Sequence, residues 1–253
     1  MKDIKGVIFD IDGVLQFQGR VFPGTVETIN VLKDRGIVLR FLTNSTLKSR
    51  ASCAAGLREA GFQIDVDEVI TASYATAVYL DEVKPSSCWI MLEREGLDEF
   101  SRFTHDEENP EVIVVGDNRS RFDFDHLNKA LRLLLSGARL VGMTPELIDS
   151  SMGAPELNVG SWVRMLEEAS GVKATYIGKP SRYVFELTLR SMRLCKDEVV
   201  MVGDRVCSDI KGASYFGIRS ILLRTGEFDE RDLDGDIRPD VVFDSITEVL
   251  TLF

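Results

Sequence analysis

Long apolar runs are missing from this chain of 253 residues. None approaches the roughly 20 residues that a bilayer-crossing helix needs, so a membrane partner is not expected. Clustered cysteine is missing as well. Cys53, Cys88, Cys195 and Cys207 are widely scattered, with no CxxC and no Cys/His group, so neither a zinc site nor a disulfide framework is expected. Most of the four read as buried thiols. No block of Lys and Arg appears, and the formal net charge is −11, which argues against nucleic acid or an anionic membrane surface as partner. An anionic small substrate stays open, because a bound metal and one lysine can invert the local sign. Short repeats and low-complexity segments are also lacking. The opening stretch "MKDIKGVIFDIDG" sets acids inside its apolar run and carries no small-residue cleavage site, so it does not read as a signal peptide, and the expected location is cytoplasmic.

What is present is an ordinary globular balance, 44% hydrophobic and 28% charged, on a chain long enough for one large domain or two modest ones. Short strands rich in Val, Ile and Leu alternate with helices almost from end to end. Strands are expected at 6–10, 37–43, 88–92, 111–116, 138–142, 174–178, 198–204, 218–225 and 240–244. Six helices are expected between them, among them "PGTVETINVLKDRG", which Pro23 opens and Gly36 closes, and "CSDIKGASYFG" (207–217). This βα alternation predicts an α/β fold with a largely parallel sheet. The acid-rich 227–240 reads as a solvated surface loop; neither it nor "DIDG" has the ligand pattern of an EF-hand.

Polar residues fall at the strand ends. "KGVIFDIDGVL" runs from apolar Val7, Ile8 and Phe9 straight into Asp10 and Asp12, and like charges that close call for something positive beside them. Thr43 closes the next strand ("FLTNS") and Asp204 a later one ("VMVGDRVCSD"). In open parallel sheets ligands bind at the carboxyl ends of the strands. Lys179, in "IGKPS", would be the cation that this edge otherwise lacks. Asp10, Asp204 and a backbone carbonyl near Asp12 are hard oxygen donors of the kind magnesium takes together with a substrate phosphate. One carboxylate can attack phosphorus while a second, two residues on, handles the proton. Thr43 and Lys179 can hold the phosphoryl oxygens. Each residue also has an ordinary reading alone. Asp10 could form a turn, Thr43 could cap the helix beginning near Leu47, Lys179 could be solvated, and Asp209 could pair locally. Their shared order and placement make the joint reading the stronger one.

"FDIDGVL", "FLTNS", "GKP" and "GDRVCSD" resemble, in order, the four motifs of the haloacid dehalogenase superfamily. The long insertion between the second and third motifs resembles the α/β cap of the p-nitrophenylphosphatase-like subfamily. The stretch "LNVGSWVRMLEEASGVKATYIGKPS" is most similar to the branch that holds phospholysine phosphohistidine inorganic pyrophosphate phosphatase. The resemblance implies a Rossmann-like core at 1–80 and 177–253 with a cap inserted at 81–176. It implies a Mg²⁺-dependent phosphatase working through an aspartyl phosphate on a small phosphorylated substrate. Asp10 would be nucleophile and metal ligand, Asp12 the acid/base and a ligand through its carbonyl, and Asp204 the further metal ligand. Thr43, Asn44 and Lys179 would hold the phosphoryl group, and Asp209 would orient Lys179 or a metal-bound water. Two departures stand out. Asn44 is followed by Ser45 where many relatives repeat asparagine, and Cys207 lies inside the last motif, where it reads as a small residue on the first helical turn.

Specificity is expected in the cap, chiefly in the loop 143–160, which holds no Lys, Arg or His. Arg119 and Arg121 read as a solvated turn, and His105 and His126, away from the motif edge, as non-catalytic. A phosphotransferase, a receiver-like signalling module and a non-catalytic binding protein are the alternatives, and a homodimer is compatible with exposed cap surfaces.

Overall fold

Apolar residues that alternate between two buried faces build the central sheet. In the computed structural model, which describes residues 4–150 and 153–253, the chain opens with β1 (Gly6–Phe9) and a hairpin of β2 (Gln16–Phe17) and β3 (Arg20–Val21). There follow α1 (Thr25–Asp34), β4 (Val38–Thr43), α2 (Arg50–Glu59), β5 (Val69–Thr71) and α3 (Ala72–Val83). A second set comprises β6 (Cys88–Met91), β7 (Val112–Val115), α4 (Phe124–Leu135) and β8 (Arg139–Gly142). It continues with the ribbon of β9 (Ile148–Asp149) and β10 (Glu156–Leu157), then α5 (Val159–Ser170) and β11 (Thr175–Tyr176). The chain closes with α6 (Arg182–Met192), β12 (Val199–Gly203), α7 (Lys211–Phe216), β13 (Arg219–Leu223) and β14 (Val241–Phe243).

The core sheet has six strands, all parallel, in the order β14-β13-β12-β1-β4-β5. Val7 and Phe9 of β1, Phe41 of β4 and Val202 of β12 point to one face, where α1 and α2 cover them with Ile29, Leu32 and Leu57. Ile8, Leu42 and Met201 point to the other, under Val184 and Phe185 of α6 and Ala213 of α7. Phe9 and Phe41 stack at 6.2 Å between ring centres. Truncating either to alanine should cost about 3–5 kcal/mol. A sheet covered on both faces, with its strand ends free, leaves one edge for chemistry.

The second sheet, β11-β8-β7-β6, is also parallel and packs Trp89, Ile113, Val115 and Leu140 against Val163 and Leu166 of α5. It is a cap inserted into the Rossmann-like core. The expected boundary at 80/81 falls within the last turn of α3. That helix is absent from the sequence expectations, and so is β5. Ala72, Ser73, Ala75, Thr76, Ala77 and Leu80 of α3 are all buried, so the helix shows no polar stripe, and β5 has only three residues. β11, shorter than the strand expected at 174–178, is an edge strand of the cap sheet, so Lys179 enters the site on the return from cap to core.

The segment expected as one helix from Cys207 begins instead as a π-helical turn, Val206–Ile210, before α7. Such turns often occur at functional sites. All four cysteines are free, with Cys53 and Cys88 buried and Cys195 and Cys207 exposed, so the buried-thiol expectation holds for two of the four. Ser151 and Met152, in the loop 143–160, lie outside the described residues. Among the described residues no helix is long and apolar enough to cross a membrane.

Candidate active site

Three core strands end at the same place. Asp10 prolongs β1 by one ladder bond, its N–H donating to Val202 O at 2.9 Å. Thr43 closes β4 and Asp204 follows β12, and both are buried. Thr43 does not cap α2; Ser49 does, accepting from Ser52 N, while Thr43 Oγ1 accepts from Ser45 N at 3.0 Å. Lys179, 2% exposed, places Nζ 2.7 Å from Asp10 Oδ1 and 2.7 Å from Asp209 Oδ1, and donates to Leu42 O at 3.3 Å. Asn44 holds the lysine backbone at two points: its Oδ1 accepts from Lys179 N at 2.8 Å, and its Nδ2 donates to Lys179 O at 3.0 Å.

Asp12 differs from the other acids in being exposed. Its Oδ1 accepts a long, weak contact from Gln16 Nε2 at 3.4 Å, and the residue helps to line the cavity over the site. The turn that follows Asp12 is tight. Gly13 has φ +92°, and a Cβ there would collide with the Asp204 carboxylate, as would one on Gly226. Thr225 Oγ1 donates to Gly13 O at 2.6 Å and ties the two turns together.

The electrostatics follow from burial. Desolvation, then the neighbouring Asp209, push the Asp10 carboxyl well above the usual carboxylate range, against the pull of Lys179. Asp204 is pushed up to about 7 by the same two causes, against the Glu227 N–H that donates to its Oδ2 at 2.8 Å. Burial opposes the charge on Lys179, but Asp10 and Asp209 outweigh it and hold the ammonium protonated.

Asp10, Asp204 and Asp209 each bring one carboxylate oxygen within 4.8 Å of the others, and Asp204 Oδ1 is buried with no hydrogen-bond partner. A donor set of hard, clustered, incompletely satisfied oxygens fits a divalent cation.

The site opens into a cavity of about 500 Å³ walled by both layers. From the core come Asp10, Asp12, Thr43, Asn44 and Lys179; from the cap come Arg94, Asp117, Arg119 and Glu146. Every site residue expected from the sequence except Asp204 and Asp209 lines it, and those two lie beneath, fully buried. Arg119, expected in a solvated turn, is in the cavity wall. It is paired with Asp117 (3.0 Å), Glu156 (2.5 Å) and Asp149 (3.8 Å). Arg121 instead meets His126 and Glu107 outside. Glu227, expected in a solvated loop, is half-buried in the wall, because its amide is tied to Asp204.

Sequence reasoning also passed over Glu146 and Arg205. Arg205 Nη1 lies 3.3 Å from Glu146 Oε1 and 3.0 Å from Glu227 Oε2. Burial pushes the Glu146 carboxyl up, against Arg205. The available signal was the adjacency of Arg205 to Asp204, but nothing local announces the approach of Glu146 from the cap.

Comparison with known proteins agrees with this geometry. The haloacid dehalogenase-like hydrolase family model matches residues 7–121, and a second HAD-hydrolase-like model matches 176–249. The chain is 33% identical to the zebrafish (Danio rerio) phospholysine phosphohistidine inorganic pyrophosphate phosphatase, over 98% of this chain and 93% of that protein. It is 31% identical to mouse (Mus musculus) haloacid dehalogenase-like hydrolase domain-containing protein 2, over 90% and 87%. The solved p-nitrophenyl phosphatase from Archaeoglobus fulgidus superposes with a TM-score of 0.92 at 29% identity, covering 99% of this chain and 100% of that one. The chain belongs to the haloacid dehalogenase-like hydrolases, among the phosphatases of that family that carry an inserted α/β cap.

Proposed function

We propose that the protein is a Mg²⁺-dependent phosphatase that hydrolyses a small phosphomonoester through an aspartyl phosphate on Asp10. The observation that carries this reading is the pairing of Asp10 with Lys179 at 2.7 Å, beside an exposed Asp12, at the floor of a cavity sized for a small molecule. Asp10 Oδ1 accepts from Ile11 N at 2.8 Å and faces Lys179, which leaves Oδ2 for phosphorus. In the first step Oδ2 bonds to phosphorus, the bond to the leaving oxygen breaks, and Asp12 gives that oxygen a proton. In the second, Asp12 takes a proton from water, the water oxygen bonds to phosphorus, and the Asp10–phosphorus link breaks to release inorganic phosphate. Thr43 and Lys179 orient the phosphoryl oxygens, and Asn44 holds Lys179 in place.

Asp10, Asp204 and the Asp12 carbonyl would hold the ion, with Asp209 beside them. When bound, Mg²⁺ supplies charge neutralisation for the transferring phosphoryl group. We divide the chain into a catalytic core, 1–80 and 177–253, and a cap, 81–176, that meets the leaving group. The four free thiols suit a reducing compartment, and the cytoplasm is the proposed location.

The test is hydrolysis of p-nitrophenyl phosphate with Mg²⁺, with EDTA, and by Asp10→Asn. Turnover that requires the metal and vanishes in the variant supports the reading. Turnover that survives in folded Asp10→Asn overturns it.

A further inference from the structure

The cap reaches the reacting edge through one acidic side chain. Glu146 follows β8 in the cap, and its side chain is 13% exposed. Its Oε1 accepts from Asn44 Nδ2 at 3.0 Å, the same nitrogen that donates to Lys179 O. The same Oε1 faces Arg205 Nη1, and that nitrogen also faces Glu227. The Glu227 amide in turn donates to Asp204. A second cap contact reinforces the chain, with Ser150 N donating to Glu227 Oε1 at 3.1 Å. One cap carboxylate is thus one residue removed from the phosphate-binding lysine and two removed from the buried aspartate with an unsatisfied oxygen.

We infer that Glu146 is a positioning residue for the reaction, holding Lys179 through Asn44 and Asp204 through Arg205 and Glu227, so that the site is assembled fully only when the cap is seated. The inference rests on the phosphatase reading for its kinetic consequence, but not for its consequence on cation binding. A tie that only glued cap to core could have met the core anywhere along their contact. This one meets it at the two loops that carry the cation's carboxylate and the phosphoryl group's ammonium. The half-buried ion pair is also a costly way merely to join two layers, since the partial desolvation of both charges offsets part of their attraction. Its geometric product is the fixed direction of Asn44 and Glu227. Groups that orient ligating carboxylates in this way typically change metal affinity or activity by about 10–100-fold when removed.

The experiment uses the full chain with Glu146→Gln, Arg205→Gln and the double variant. Three quantities are read: Mg²⁺ affinity by calorimetry, kcat and KM for p-nitrophenyl phosphate, and the thermal midpoint. Glu146→Gln is nearly isosteric and keeps an acceptor for Asn44 while losing the charge that Arg205 meets. The expected result is about a tenfold loss of Mg²⁺ affinity and a similar loss in kcat with little change in KM. The double variant should be no worse than Arg205→Gln alone, because the two groups act along one path. A lowered thermal midpoint with Mg²⁺ affinity and kcat unchanged would mean a purely structural tie and would overturn the inference, as would additive losses in the double variant. Absence of turnover in the wild type would defeat the phosphatase reading alone; the Mg²⁺ affinities would still decide this one.

Discussion

Lys179 Nζ stands 2.7 Å from both Asp10 and Asp209, with Asp204 completing a cluster whose oxygens lie within 4.8 Å of one another. Three carboxylates and one ammonium leave two negative charges in a buried place, the charge that one divalent ion cancels. The fold can hold this arrangement because three parallel strands and the return from the cap converge on it, each backbone fixed by the sheets on either side. Burial, and then the neighbouring Asp209, push Asp10 and Asp204 up, so a proton can substitute for a cation on these oxygens.

That substitution predicts a pH-dependent effect of Mg²⁺ on stability. The Asp204 carboxyl lies at about 7 in the fold, against an ordinary value of 3.8. Without the ion, the native state keeps a proton that the unfolded chain has released. Stability from this group is therefore present below the ordinary value and lost as pH rises through about 7. Mg²⁺ takes the proton's place and binds more tightly once the proton has gone. At about 100 times its dissociation constant the ion should add about 2.7 kcal/mol, or roughly 5–10 °C in midpoint for a chain of this size. Differential scanning calorimetry should show that gain near pH 8 and less than about half of it near pH 5.5. An equal gain at both would mean that these carboxylates do not hold the ion.

A second prediction concerns the lysine. Lys179→Met removes the one ammonium between two buried carboxylates, and leaving them unpaired should cost about 3–5 kcal/mol. Adding Asp209→Asn takes away one of the stranded charges and should recover part of that loss, since the two sites are in contact and couple. Activity should stay lost in both. Urea unfolding of the single and double variants reads the recovery. A double variant less stable than Lys179→Met alone would show that Asp209 is held by something other than the lysine.

How much of this was legible in the sequence depends on the range of each cause. A run of Val, Ile and Phe ending in Asp10 is a local signal, because a polar residue after an apolar run marks where a buried strand stops, and Thr43 and Asp204 announce themselves in the same way. The α/β alternation was legible for the same reason. The buried α3 was not, since a helix enclosed by apolar neighbours carries no polar stripe to mark its period. Glu146 reaches Arg205 across the contact between cap and core, and Glu227 reaches it from the loop after β13, both far away in the chain. Glu227 moreover sits in an acid-rich stretch whose remaining members give no reason to single it out.

The last prediction isolates a backbone requirement of the cation site. Gly13 has φ +92°, where a side chain is strained, and a Cβ there would collide with Asp204 Oδ2. Gly36 has φ +74° after α1, with nothing within 4 Å of where its Cβ would be. Alanine at either position imposes left-handed strain, on the order of 1–3 kcal/mol. Only at Gly13 must Asp204 also move, and with it the oxygen that has no protein partner. Gly13→Ala should therefore lose at least about tenfold in Mg²⁺ affinity, while Gly36→Ala loses comparable stability and keeps its affinity. Calorimetric titration of the two variants side by side separates strain from displacement. Equal affinities would place the cation away from Asp204, and unequal ones tie its binding to the closeness of the Gly13 turn.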